Sequence, residues 1–360
     1  MTSTTPVPLS ESGLLAAHAP LRPDPAGPAE DGHAAYQAQL GGPVYVVDFG
    51  GPADGPVMVC VHGLGGSYHN WLRLAPLLTP TCRVLALDLA GHGRTPAQRP
   101  RPHVAGNQRL LDRFLTEVLA GPAVLVGNSM GGMISLRQSV LAPDTVAGLV
   151  LVNPALPLPR GAYPAPMTLA LFAALFVPRL GTHTLARRRA RTTPLALVEE
   201  SLVRLCGDPS RIPARTLEVM ERAQRERGLT AGADAAFVTA ARSVVAGMVR
   251  RTPLTGYLRT AAAPTLLLHG TLDRLVPVAM AHAAARSRPD WRVEILAGLG
   301  HIPMLEDPDQ TATIILDWLA HEGRPAAQAA RRPGAGPAPG PLSQDIPTSA
   351  NVAAGPAVDS

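Results

Sequence analysis

Short apolar runs that end at Gly, Asn, Asp or His recur along this chain and alternate with amphipathic stretches. Continuous rather than alternating hydrophobicity is typical of strands buried on both faces of a parallel sheet. We predict strands at residues 44–49, 57–61, 83–87, 123–126, 148–152, 265–268 and 292–296. We predict helices between them, at residues 71–78, 108–119, 130–141, 279–287 and 308–320. This alternation predicts an α/β fold with a mostly parallel sheet flanked by helices.

The alternation stops after Asn153 and resumes near residue 265. Residues 155–259 have a helical pattern with Pro-rich joints, and their candidate helices are 167–177, 195–205, 212–227 and 233–250. We predict that they form an inserted helical cap over the carboxyl edge of the sheet, where α/β proteins bind ligands. The cap divides the core into residues 41–154 and 260–322. Residues 1–40 and 323–360 are rich in Pro, Ala and Gly without a sustained period, so we predict a disordered N-terminal arm and a disordered tail.

Composition argues against a nucleic-acid partner. The chain has 32 basic residues, all of them Arg, but its net charge is only +5. Its aromatic content of 4% supplies few platforms on which bases could stack. We therefore predict that no nucleic acid binds. The oligomeric state is left open.

The remaining compositional features concern membranes and compartment. The longest apolar stretch, residues 167–177, is shorter than the roughly 20 residues that a spanning helix needs. We expect no membrane contact, and we interpret the basic run 187–191 as a solvated surface. The N-terminus has no basic region followed by an apolar one, so we expect a cytoplasmic location. The three cysteines have unrelated spacings, which indicate neither a disulfide framework nor a metal site.

The pentapeptide Gly127-Asn-Ser-Met-Gly131 follows a predicted strand and opens a predicted helix. A turn this tight excludes side chains two residues before and two after the serine, and it raises the serine hydroxyl above the sheet. The helix N-terminus beneath it offers unpaired N–H groups to a developing oxyanion. The pattern predicts Ser129 as a nucleophile.

A serine nucleophile needs a general base and an acid that orients this base. Asp273 lies in the loop after the strand predicted at 265–268, and His301 lies in the loop after the strand at 292–296. Both the order along the chain and the position beyond a strand match a serine-acid-histidine triad on a parallel sheet. We predict Asp273 as the acid and His301 as the general base.

The loop after the strand at 57–61 has the sequence His62-Gly-Leu-Gly-Gly. Its glycines let backbone N–H groups approach a ligand closely, and we predict that the N–H groups of Leu64 and Met130 form the oxyanion hole. The run lacks the Lys-Ser/Thr of a phosphate-binding loop and the spacing of a dinucleotide-binding loop. Asp88 and His92 are interpreted as hydrogen-bonding residues of a tight loop. We therefore predict neither a cofactor nor a metal.

Five segments together resemble the successive sequence blocks of the α/β-hydrolase superfamily. They are His62-Gly-Leu-Gly-Gly, Asp88-Leu-Ala-Gly-His-Gly-Arg, Gly127-Asn-Ser-Met-Gly-Gly, Gly270-Thr-Leu-Asp-Arg-Leu-Val-Pro and Gly300-His-Ile-Pro-Met-Leu-Glu-Asp-Pro. The resemblance spans residues 44–320 apart from the cap, and it implies the α/β-hydrolase fold. Haloalkane dehalogenases and most epoxide hydrolases of this superfamily carry Asp where this chain has Ser129. The elbow is similar to that of meta-cleavage C–C hydrolases, which usually have Trp after the catalytic histidine, where this chain has Ile302.

These residues predict a serine hydrolase of the carboxylesterase or lipase type, which acts on a small, hydrophobic, ester-like substrate through an acyl-enzyme. A second enzyme class stays open, namely C–C bond hydrolysis or cofactor-free perhydrolase chemistry with the same triad. A third alternative is a ligand-binding receptor that keeps the fold and pocket without turnover.

Overall fold

A nine-stranded sheet forms the centre of the described part of the chain. The computed structural model describes residues 13–97, 101–166, 180–230, 232–250 and 252–323, together with Leu9, Thr168, Ala170 and Ala173. The strands are β1 (Leu21–Pro23), β2 (Ala34–Gln39), β3 (Pro43–Gly50), β4 (Val57–Val61), β5 (Arg83–Leu87), β6 (Ala123–Asn128), β7 (Val146–Val152), β8 (Thr265–Gly270) and β9 (Arg292–Leu296). Their spatial order is β1-β2-β3-β5-β4-β6-β7-β8-β9.

The six strands β5, β4, β6, β7, β8 and β9 lie side by side and are parallel to one another. In contrast, β1, β2 and β3 run antiparallel to their neighbours. All seven predicted strands are present, and the prediction of a mostly parallel sheet is confirmed. Strands β4 to β8 are buried along their whole length, which explains their continuous hydrophobicity. The carboxyl ends of the parallel strands meet at one edge of the sheet.

The prediction of a disordered arm at residues 1–40 is wrong for the described residues. β2 pairs with β3 over six residues, and β1 pairs with β2 at the edge of the sheet. Leu9, Ala38 and Leu40 are fully buried in the core. Composition is misleading here because several apolar residues of the segment, such as Leu14 and Tyr36, are buried. The edge of β3 also supplies hydrogen-bond partners that the segment itself lacks. The predicted tail lies outside the described residues apart from Gly323.

Helices cover both faces of the sheet. They are α1 (Ala75–Leu78), α2 (Val104–Arg113), α3 (Met130–Leu141), α9 (Ala279–Ser287), α10 (Pro303–Glu306) and α11 (Pro308–Trp318). Alternate residues of each central strand enter two separate cores, because successive side chains of a strand point to opposite faces. One core lies against α2, α3 and α9, and the other lies against α1 and α11.

A helical insertion lies between β7 and β8. Its described helices are α4 (Leu180–Arg191), α5 (Pro194–Leu205), α6 (Ala214–Leu229), α7 (Ala233–Arg250) and α8 (Thr252–Thr260). Three of them match predicted helices, while α4, which contains the basic run, and α8 were not predicted. The helix predicted at 167–177 lies largely outside the described residues. No single described helix is long and apolar enough to cross a membrane, although one bent pair, Ala214–Gly228 with Ala233–Arg250, meets that criterion together.

Burial of the N-terminal segment can be tested through Leu40. Replacing this fully buried side chain by Ala is expected to lower the free energy of unfolding by about 2–5 kcal/mol, because it leaves a cavity in the core. Leu141→Ala is the control, since Leu141 is 48% exposed and surface changes are usually within about 0.5 kcal/mol. Urea denaturation measures both. Equal, small effects would mean that the segment is not packed on the sheet.

Candidate active site

Ser129 occupies a strained turn between β6 and α3. Its φ of 55° and ψ of −113° fall in a region that L-residues avoid, at a cost of about 1–3 kcal/mol. Two hydrogen bonds to residues at the end of β7 hold the backbone of this turn. The Ser129 N–H donates to the Val152 carbonyl at 3.0 Å, and the Ser129 carbonyl accepts from the Ala155 N–H at 3.0 Å. The end of β7 therefore fixes the backbone that presents the Ser129 side chain.

Glycines make this turn sterically possible. A Cβ at Gly131 would lie 1.9 Å from the Val61 carbonyl oxygen, and a Cβ at Gly127 would lie 2.6 Å from the Gly131 oxygen. The start of α3 thus lies directly against the end of β4. On the other side, a Cβ at Gly63 would lie 3.1 Å from the Ser129 Cβ. The glycines bring the loop after β4 against the serine.

Asp273 and His301 meet at the carboxyl ends of β8 and β9. His301 Nδ1 lies 2.6 Å from Asp273 Oδ2, and both side chains are buried. Asp273 Oδ1 accepts the N–H groups of Leu275 at 2.8 Å and Val276 at 2.9 Å. Burial by itself raises the pKa of Asp273, but His301, His269 and these hydrogen bonds together lower it below its usual value. The geometry therefore favours an ionised Asp273 beside His301.

Asn153 completes the environment of Asp273, and the sequence analysis missed it. Its Nδ2 donates to Asp273 Oδ2 at 2.7 Å and to the Gly300 carbonyl at 3.2 Å. Asn153 and Ser129 are the two non-glycine residues with positive φ among those described. The available signal was an Asn directly after a buried strand, a residue type that tolerates left-handed backbone.

The His301 loop is tied to the helical insertion. The His301 N–H donates to the Leu205 carbonyl at 2.5 Å. The buried carboxylate of Glu306 accepts from the N–H groups of Gly207, Asp208 and Gly300 at 3.1, 2.8 and 2.8 Å. The sequence analysis also missed Glu306, because its role depends on backbone groups about 100 residues away. A side chain at Gly300 would collide with the Leu205 oxygen, so this junction is tightly packed.

Ser129, His301 and Leu64 line one cavity of about 340 Å³ between the sheet edge and the insertion. Asp273 lies behind His301, outside the cavity wall. Met130 is fully buried as the first residue of α3, where helix geometry leaves the N–H without an acceptor in the helix. Of the five predicted site residues, three thus share the cavity wall. Asp273 contacts one of these, His301, and Met130 directly follows Ser129. Much of the remaining wall is apolar.

His62 holds the loop that carries Leu64. Its Nε2 accepts from the Leu89 N–H at 3.0 Å, and its Nδ1 lies 2.7 Å from the Gly63 carbonyl. These partners require a neutral ring with the proton on Nδ1. Burial lowers the pKa of His62 to about 4. This environment agrees with a structural role for His62.

The loop after β5 contains Asp88 and His92. Asp88 accepts the N–H groups of Tyr68 at 2.7 Å and Arg94 at 2.8 Å, while His92 Nδ1 lies 3.1 Å from the Ala90 carbonyl. Burial raises the pKa of Asp88 to about 6. Within the described ranges, no group of three or more His, Cys, Asp or Glu side chains is placed to hold a metal ion.

The sequence model of the Alpha/beta hydrolase family matches residues 58–314. The chain is 31% identical over 294 residues to the magnesium-chelatase 30 kDa subunit of Rhodobacter capsulatus, covering 77% of this chain and 92% of that protein. It is 29% identical over 273 residues to the pimeloyl-[acyl-carrier protein] methyl ester esterase of Aromatoleum aromaticum, covering 73% and 97%.

A solved structure with the same fold is that of 2-hydroxy-6-oxo-6-phenylhexa-2,4-dienoate hydrolase from Rhodococcus sp. The two chains superpose with a TM-score of 0.62 over 77% of this chain and 95% of the other. Their sequence identity is 22%, so this similarity concerns the fold alone.

The neutral state of His62 makes stability depend on pH. Because burial lowers its folded pKa to about 4 from 6.5, its contribution is fully present above about pH 6.5 and is lost as the pH falls toward 4. We expect His62→Gln to reduce the loss of unfolding free energy between pH 7 and pH 5 by about 2 kcal/mol. Urea denaturation at both pH values measures this difference.

His321→Gln is the matched control, because the His321 side chain is 71% exposed. We expect it to show the same loss between the two pH values as the wild-type protein. An undiminished loss in His62→Gln would show that His62 is not held neutral in the folded protein.

Proposed function

Because this chain belongs to the α/β hydrolase family, we propose that it is a serine hydrolase that cleaves the ester bond of a small, largely apolar substrate. In this proposal Ser129 is the nucleophile, His301 is the general base, and Asp273 orients His301. The observation that carries it is the 2.6 Å contact between His301 Nδ1 and Asp273 Oδ2, with His301 and Ser129 in the wall of one cavity.

Acylation begins at Ser129. Asp273 accepts a hydrogen bond from the Nδ1–H group of His301, which keeps that proton on Nδ1 and leaves Nε2 able to take the Ser129 hydroxyl proton. Oγ attacks the ester carbonyl carbon, and the carbonyl oxygen becomes an oxyanion. When this intermediate collapses, the bond to the alkoxide breaks and the alkoxide leaves with the proton from His301 Nε2. The acyl group remains on Oγ.

Deacylation repeats these steps with water. His301 takes a proton from water as the water oxygen attacks the acyl carbon. Collapse of the second intermediate releases the acid and returns the proton to Ser129. In both steps the oxyanion is bound by the backbone N–H groups of Leu64 and Met130. The close approach of Gly63 to Ser129 supports this role for Leu64.

The nature of the substrate is inferred from the cavity wall. Apolar side chains from the insertion and the core form a large part of it: Leu197, Val198, Met220, Phe237, Val244, Met248 and Leu275. Such a wall favours an aliphatic acyl or alkyl group. The relative from Aromatoleum aromaticum, which is named for a methyl ester substrate, supports ester cleavage over other acyl transfers.

C–C bond hydrolysis or perhydrolase chemistry is the second candidate. The elbow sequence Gly127-Asn-Ser-Met-Gly-Gly favours it, because it is similar to that of C–C hydrolases. Ile302, which lies in the cavity wall directly after His301, argues against it, since those enzymes usually have Trp there. A receptor without turnover is the third candidate, and an ionised Asp273 beside His301 disfavours it.

A fluorophosphonate probe tests the nucleophile. We expect labelling of Ser129 and turnover of 4-nitrophenyl esters, with a chain-length preference set by the apolar wall. Ser129→Ala and His301→Ala are expected to lower kcat by at least about a thousandfold, since triad residues act as a unit. Rates are followed by nitrophenolate release and labelling by mass spectrometry.

Ser139→Ala is the matched control. Ser139 is a buried serine on the same helix, and its hydroxyl donates to the Leu136 carbonyl at 3.0 Å, away from the cavity. We expect it to retain labelling and turnover. Absence of both in the wild-type protein would refute the hydrolase proposal, whereas labelling without ester turnover would favour the second candidate.

A further inference from the structure

Two arginines in the cavity wall form no ion pair. Five arginines line the cavity: Arg94, Arg188, Arg189, Arg204 and Arg227. Three of them pair with carboxylates: Arg94 with Glu226, Arg188 with Glu200, and Arg189 with Asp234. Within the described part of the chain, the guanidinium groups of Arg204 and Arg227 form neither a hydrogen bond nor an ion pair. These two guanidinium groups therefore place positive charge in the cavity wall that no ion pair neutralises.

Arg227 borders the glycine-rich loop beside the proposed reaction centre. Its guanidinium carbon is 5.1 Å from the centre of the Phe237 ring. A Cβ at Gly65 would lie 3.4 Å from Arg227 Nη1, so the guanidinium borders the same glycine-rich loop that carries Leu64. Gly65 borders Arg227 Nη1, and Gly63, two residues earlier, borders the Ser129 Cβ. Because two residues span so short a distance, Nη1 lies at most about 17 Å from the Ser129 Cβ.

The electrostatic environment of Arg227 favours an anion. Burial lowers the pKa of Arg227, and Asp234 opposes this effect only in part. Asp234 is already paired, because its Oδ1 lies 2.7 Å from Arg189 Nη1. A partly buried guanidinium without an ion pair is unfavourable, and an anionic group in the cavity would reduce this cost. The Phe237 ring contacts the guanidinium through a cation–π interaction but offers it no hydrogen-bond acceptor.

We propose that Arg227 binds an anionic oxygen group, a carboxylate or a phosphate, at the end of the substrate remote from the scissile ester. A guanidinium matches either group with two parallel hydrogen bonds. The apolar wall accommodates the chain between the two ends. The inference rests on the proposed function and narrows its substrate class to esters with a distal negative charge.

Matched substrate pairs test this proposal. Mono-4-nitrophenyl adipate and suberate carry a terminal carboxylate, whereas 4-nitrophenyl hexanoate and octanoate of the same chain lengths do not. We expect the wild-type protein to prefer the charged ester in kcat/KM. Arg227→Gln is expected to lower the ratio of charged to neutral kcat/KM about tenfold or more, chiefly through KM. Taking the ratio within one protein cancels any loss of folded enzyme.

Two further variants sharpen the comparison. Arg227→Lys keeps the positive charge but lacks the planar guanidinium. We therefore expect its ratio of charged to neutral kcat/KM to lie between those of the wild-type protein and Arg227→Gln. Arg215→Gln on the same helix removes an exposed arginine that pairs with Glu218 at 3.1 Å, and we expect the wild-type ratio. A ratio that is the same in Arg227→Gln as in the wild-type protein, or that falls equally in Arg215→Gln, would overturn the proposal.

Binding to Ser129→Ala gives a readout that does not depend on turnover. We expect monomethyl adipate or butyl phosphate to bind more tightly than methyl hexanoate in isothermal titration, and the additional Arg227→Gln change to remove this difference. The preferred anion distinguishes a carboxylate from a phosphate ligand. Equal affinities for the anionic and neutral ligands would refute the role of Arg227. Failure of fluorophosphonate labelling would refute the hydrolase function alone.

Discussion

The close contact between the Ser129 turn and the end of β4 positions most of the candidate site. With Gly131 against the Val61 carbonyl, α3 starts immediately beneath the loop that carries Leu64. The left-handed backbone of Ser129 is unfavourable in isolation, so its neighbours must hold it. The two hydrogen bonds from the β7 side supply that support, and they explain why the position of Ser129 depends on a strand to which it does not belong.

The same edge of the sheet organises the acid and the base. Asn153 links the end of β7 to the Asp273 carboxylate and to the loop before His301. A second histidine, His269, lies near Asp273 with its Nε2 3.6 Å from Oδ2. However, His269 Nε2 is bound to the Val276 carbonyl at 3.0 Å, and burial lowers the pKa of His269. These contacts favour His301 as the base, because His301 alone of the two lines the cavity.

The strands that are buried on both faces of the sheet could be predicted from the sequence. Contacts between residues that lie far apart along the chain could not. The central strands were predictable because their apolar runs are continuous. β2 was not, since its burial depends on the edge of β3 and its own residues include many of low strand propensity, such as Ala35 and Ala38. The proximity of Ser129, Asp273 and His301 could be predicted, because each follows a strand in order along the chain. The contacts of Asn153, Glu306 and Arg227 could not, because they join segments that are far apart in the sequence.

The insertion contacts both the loop that presents His301 and the loop that carries Leu64. Its Leu205 carbonyl and the Gly207 and Asp208 N–H groups hold the loop that presents His301, while Arg227 borders the loop that carries Leu64. Changes in this insertion are thus expected to alter both substrate choice and the position of the base. This coupling is a physical reason why the reaction type is easier to infer than the substrate.

The central claim is that Ser129 carries the acyl group during turnover. Acid quenching of the protein within milliseconds of mixing with a 4-nitrophenyl ester, followed by peptide mass spectrometry, tests it directly. The account predicts an adduct of the acyl mass on the peptide that contains Ser129, absent from Ser129→Ala. Steady ester turnover without this adduct, or with the adduct on another residue, would contradict it.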